Sequence, residues 1–162
     1  MSRTILRLGL LAAALLLLPA AARADDRSFA TTAVEQAQKL ARYESATGRA
    51  LVRVDRRGRA AIPAARRAAA ATRAQIDRAL RPIRRETTSS AEGAAVKRSF
   101  VALLVAEKKA YKTVDRSLAA TLHGDIRTGN ALQARAKKAI AKVRKGAVKL
   151  APRLRALIGA TG

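Results

Sequence analysis

Residues 96–122, VKRSFVALLVAEKKAYKTVDRSLAATL, decide how this chain is read. Val96, Phe100, Leu103, Leu104, Tyr111, Val114, Leu118 and Leu122 recur at three- and four-residue steps, the spacing of one helical face sustained for about seven turns. A stripe that long must be covered by other elements. Just upstream, Thr87-Thr88-Ser89-Ser90 reads as a linker, and Ser89 followed by Glu92 reads as a capping box opening this helix. Just downstream, His123-Gly124 reads as its C-terminal stop. Asp125 is placed to cap the next helix, with Gly129-Asn130 as an alternative, later start.

Working outward, the same periodicity gives three more helices. The fourth carries Leu132, Ala136, Ile140, Val143, Ala147, Leu150, Leu154 and Leu157 along one side, with Pro152 interrupting it near the end. The first runs over about 28–54, with Phe29, Val34, Ala37, Leu40, Ala41, Leu51 and Val54 on one face and Gly48 weakening its second half. The second starts at Pro63, because proline at the first helical position forfeits no needed hydrogen bond. Ile62 is the lone large apolar residue between Val54 and Ile76, so loose packing is expected until Ile76, Leu80 and Ile83, with Pro82 kinking or ending the helix near Leu80. No strand pattern appears. The expected fold is all-α: an antiparallel bundle of about four helices in two hairpins, 28–86 and 91–160, joined by the 87–90 linker. Shifting the chain by 71 residues aligns Ser28-Phe29 with Ser99-Phe100 and Gly58 with Gly129, a weak repeat of the sort that Ala/Arg-rich sequence produces by coincidence.

The first 24 residues have a different character. Arg3 and Arg7 precede the apolar run Leu8–Leu18, then Pro19 and small residues ending Ala22-Arg23-Ala24, the layout of a secretory signal peptide cut between Ala24 and Asp25. The run is shorter than the roughly 20 apolar residues of a membrane span. The expected product is a single domain, 25–162, delivered to the exterior, periplasm or cell envelope. It keeps 31 basic and 11 acidic groups, a net +20. Alanine supplies 33 of its residues against 30 for Val, Ile, Leu, Phe and Tyr together, so its core is thin and suited to close helix–helix approach.

Composition narrows the chemistry. The sequence has no Cys, one His, no Trp, two Tyr and two Phe. Disulfides, thiolate metal sites and cysteine nucleophiles are excluded, and His123 alone supports no histidine metal cluster. Glu107 sits inside the apolar face of residues 96–122, and Glu35, Glu44 and Asp115 are candidates to approach it in a bundle. No Glu-x-x-His pair accompanies them, so a di-iron site is not expected and these acids read as neutralising nearby arginines or flanking the core. His123 reads as a helix-end residue, and the aromatics Phe29, Tyr43, Phe100 and Tyr111 as packing residues. The sequence points to no enzyme and no cofactor.

Charge is distributed unevenly. Residues 49–85 hold twelve Arg against Asp55 and Asp77, and residues 127–155 hold ten Lys and Arg with no acid. The rest of the exported portion balances nine basic against nine acidic groups. Like charges one turn apart cost stability on a helix, so a polyanionic partner is expected to offset them. The expected binding residues are Arg66, Arg73, Arg81 and Arg84 on the second helix and Arg135, Lys138, Lys142, Lys145, Lys149 and Arg153 on the fourth. In a four-helix bundle these helices occupy diagonal corners, giving two basic ridges with neutral helices between them. Wall phosphate polymers, anionic lipid head groups and glycosaminoglycans fit such ridges. Nucleic acid fits only non-specifically, because no aromatic is spare for base stacking. Two alternatives stand beside this: a membrane-surface-active amphipathic fourth helix, and an interaction protein whose neutral helices recruit another exported protein.

Overall fold

The computed structural model describes residues 24–159. They form α1 (Ala24–Arg57), a 3-10 turn (Gly58–Ala61), α2 (Ile62–Arg85), α3 (Ala91–Leu122) and α4 (Ile126–Gly159). Among the described residues there is no strand, and the fold is all-α. The expected leader lies outside the described residues except for Ala24, which opens α1. No described helix is long and apolar enough to cross a membrane.

Side-chain pairs fix the directions. Thr32 bonds Glu86 and Thr47 bonds Thr72, so α1 and α2 are antiparallel. Lys108 meets Asp77 and Arg66 meets Asp115, which sets α2 against α3. Ser117 meets the Gly129 carbonyl and Glu92 meets Arg153, which sets α3 against α4. The α4 helix also packs on α1, whereas α1 and α3 touch only slightly and α2 lies across the molecule from α4.

The core differs from the sequence expectation in its second helix. Large apolar residues are scarce there, yet Ile62, Ala65, Ala69 and Thr72 are completely buried. Alanine methyls let α1 and α2 approach closely, and close approach lets Thr47 and Thr72 hydrogen bond inside the core at 2.9 Å. Thr72 Oγ1 also lies within bonding distance of the Tyr43 and Ala68 carbonyls. Both hydroxyls are therefore satisfied where an unpaired one would cost about 1–3 kcal/mol. Tight packing replaces the expected loose half.

Proline likewise ends nothing. The α2 helix continues through Pro82 to Arg85, and the Pro82 carbonyl accepts the Glu86 N–H at 3.1 Å. Proline in a helix costs about 3 kcal/mol, but burying an isoleucine is worth about 1.5–3 kcal/mol, and Ile83, one residue on, is fully buried. The α4 helix runs through Pro152 in the same way, anchored by buried Leu154 and Leu157.

Two boundaries follow local chemistry. Gly124, at φ +89°, supplies the left-handed turn after α3 that a side chain resists. Asp125 Oδ1 then accepts the Thr128 N–H at 3.0 Å, capping α4, and this bond holds its carboxyl below the usual range. Gly129 lies inside α4 rather than delaying it. The cap of α3 is Ser90, not Ser89: its hydroxyl accepts the Gly93 N–H at 2.8 Å. Glu92 is correspondingly not a capping-box partner. The register moves by one because Asp26, reaching over from α1, accepts the Ser89 and Ser90 N–H groups at 2.8 and 3.3 Å.

Candidate functional site

The α4 helix turns Ala136, Leu150, Leu154 and Leu157 inward, and that phase sends its cations outward. Arg135, Lys138, Lys142, Lys145 and Lys149 are exposed, and Arg127, Lys137 and Arg144 join them. None of the eight forms an ion pair among the described residues. Arg153 departs from the expected ridge. Its guanidinium forks onto the Glu92 carboxylate through Nε at 2.8 Å and Nη2 at 3.1 Å, pulling the Glu92 carboxyl below its ordinary range.

The expected ridge on α2 is divided by the structure. Arg66 and Arg73 face α3 and share Asp115, at 2.8 and 3.2 Å, so these two half-buried cations are committed to an ion pair within the protein. Arg81 and Arg84 remain exposed. The outward row of α2 is instead Arg67, Arg78, Arg81 and Arg85, all exposed and without ion pairs among the described residues. The sequence carries this phase in the buried alanines Ala65, Ala69 and Ala79, which lie on the face opposite that row. Arg81 and Arg85 border an open recess with Pro82, Glu86 and Thr87. The Glu86 carboxylate is held by the hydroxyls of Ser28 at 3.0 Å and Thr32 at 2.8 Å rather than by either arginine.

The neutral helices are not neutral at their surfaces. Their acids are disproportionately internal: Asp26, Glu44 and Glu107 are buried and Asp115 lies beneath two arginines. Their bases point out, with Arg98, Lys109, Lys112 and Arg116 exposed on α3 and Arg42, Arg49 and Arg53 on α1. The expected pair of isolated ridges is replaced by two broad basic faces, one on each hairpin. Along the seam between α2 and α3, cations are neutralised by Asp115 and by the 2.6 Å contact of Lys108 with Asp77.

Of the carboxylates expected to approach Glu107, Glu44 does so and the two hydrogen bond to each other. Glu35 is exposed and Asp115 faces α2. Neither buried carboxyl forms an ion pair among the described residues. Burial, then the neighbouring Glu44, pushes the Glu107 carboxyl up to about 9. Burial also raises Glu44, against the opposing effect of its bond to Glu107. The Tyr111 phenol, packed beside them, is driven up by burial and by both acids. His123 is exposed at the C-cap of α3. Among the described residues no group of three or more His, Cys, Asp or Glu stands where it could hold a metal ion.

Comparison with protein-family models, with curated proteins and with solved structures finds no match for this chain.

Proposed function

We propose that this chain is an exported, antiparallel four-helix bundle that binds linear anionic polymers bearing phosphate or sulfate, without catalysis. The observation that carries the reading is the eight exposed α4 cations, five of them (Arg135, Lys138, Lys142, Lys145 and Lys149) in one row, with no acidic partner among the described residues. Cations kept only for solubility have no reason to be segregated from acids, since interleaved charges solvate equally well and avoid like-charge repulsion. Over Arg135–Lys149 the helix rises about 21 Å, so the row offers a charge every turn to a chain lying along it. Lysines supply point charges there, and the arginines of α2 supply forked contacts.

The test is retention on heparin and on a plain cation exchanger across a salt gradient, beside the variant Lys138→Gln, Lys142→Gln, Lys145→Gln and Lys149→Gln. Wild type should hold to higher salt on heparin than on the exchanger, and the variant should lose that margin. With six or more anion contacts, affinity should fall roughly a thousandfold between low and physiological salt. Equal elution from both resins refutes the reading.

A membrane-surface role is the second reading, favoured by Val148, which is 68% exposed amid the α4 cations. It ranks lower because the main apolar stripe of α4 lies inside the protein and is not available to enter a bilayer. Leakage of dye from anionic vesicles would support it over polymer binding. Recruitment of an exported protein by α1 and α3 is the third reading, and it ranks last because the exposed charges of these helices are mostly basic.

A further inference from the structure

We infer that the molecule bridges two anionic polymer chains at once, one on each hairpin, and so cross-links and condenses the polymer it binds; this rests on the polyanion reading above. The first hairpin presents Arg67, Arg78, Arg81 and Arg85 on α2, all exposed. The second presents Arg135, Lys138, Lys142, Lys145 and Lys149, also exposed. The helices α2 and α4 carry this charge and lie across the molecule from each other.

Distance decides whether these faces act together or separately. Each helix with its side chains is about 10 Å across and packed axes are about 8–10 Å apart, so the outer surfaces of α2 and α4 are separated by roughly 20 Å. The Debye length at physiological ionic strength is about 8 Å. A polymer lying along α4 therefore leaves the potential of the α2 face almost unchanged, and that face remains able to take a second chain. The seam reinforces the division on one side. Asp115 and Asp77 neutralise Arg66, Arg73 and Lys108 between α2 and α3, so no unbroken track of free cations leads a single chain from one hairpin to the other across it.

The experiment uses inorganic polyphosphate in two lengths, a short chain about as long as the α4 row and a long chain of many times that length, with the full protein and the variant Arg67→Gln, Arg78→Gln, Arg81→Gln and Arg85→Gln. None of these arginines has an ion-pair partner among the described residues, so the variant keeps its fold, which circular dichroism verifies. Calorimetry should count two short chains per wild-type molecule and one per variant molecule. Light scattering with the long chain at charge equivalence should be strong for wild type and fall by about tenfold for the variant. One short chain per molecule in both proteins, or equal condensation by both, overturns bridging while leaving polymer binding intact. Failure of wild type to bind either length overturns bridging and the polyanion reading together.

Discussion

Replacing Gly93 by alanine is expected to destabilise the protein by about 2–4 kcal/mol, although helix propensity alone favours alanine over glycine by about 1 kcal/mol. A Cβ at position 93 would stand 2.2 Å from Asp26 Oδ1 and 2.6 Å from Asp26 Cγ. The carboxylate has nowhere cheap to go. It is completely buried, and Oδ1 accepts the Ser89 and Ser90 N–H groups that fix the approach to α3. Moving it breaks charge-assisted hydrogen bonds in a desolvated site and detaches the first turn of α1 from the linker. Gly48→Ala is the matched control. Gly48 also lies within a helix, has no φ requirement, and has nothing within 4 Å of the position that an alanine methyl would take. There propensity acts unopposed, and the substitution should stabilise by about 0.5–1 kcal/mol. Urea unfolding of both variants checks the pair. Stabilisation by Gly93→Ala would mean that the Asp26 latch is not formed in solution.

That latch also shows where sequence reasoning stops. The long face of α3, the linker before it and the glycine stop after it are legible because large apolar side chains and turn-forming residues mark them locally. The cap falls one residue from its expected place because the choice between Ser89 and Ser90 is made by Asp26, more than sixty positions away. The phase of α2 is hidden for a different reason. With Ile62 followed by no large apolar residue until Ile76, the core face is written in Ala65, Ala69 and Thr72, and alanine occupies the other faces of that segment as well. Four arginines therefore look like one ridge when two of them face α3 and grip Asp115. Charge summed by segment has the same blind spot. It counts Asp26, Glu44 and Glu107 against the bases of α1 and α3, whereas a buried acid subtracts little from the potential that an approaching polymer meets. The outward cations of α4 are legible, save for Arg153, because a continuous apolar stripe fixes their phase and no acid intervenes in that segment.

Glu107→Gln should raise stability at pH 8 by an amount on the order of a few kcal/mol while changing it little near pH 4.5, flattening the decline between. The folded protein holds the Glu107 proton up to about 9, whereas an unfolded chain releases it near the ordinary value of 4.5. Below that ordinary value both states are protonated, and the neutral pair contributes its full stability. Between the two values folding requires proton uptake, so stability falls as pH rises, and above about 9 the loss is complete. Glutamine keeps the shape and a hydrogen bond to Glu44 but never ionises. Glu44 is itself raised by burial, so a weaker decline should persist in the single variant and disappear when Glu44→Gln is added. The surface carboxyls Glu92 and Asp125 are lowered by their partners and act in the opposite direction, losing their contributions as pH falls through the acid range. They therefore leave the window between 4.5 and 9 to the buried pair. Thermal unfolding of wild type and both variants across that window is the measurement. A slope in Glu107→Gln equal to that of wild type would show that the pair is not the titrating unit, and would place the two carboxyls in contact with solvent rather than with each other.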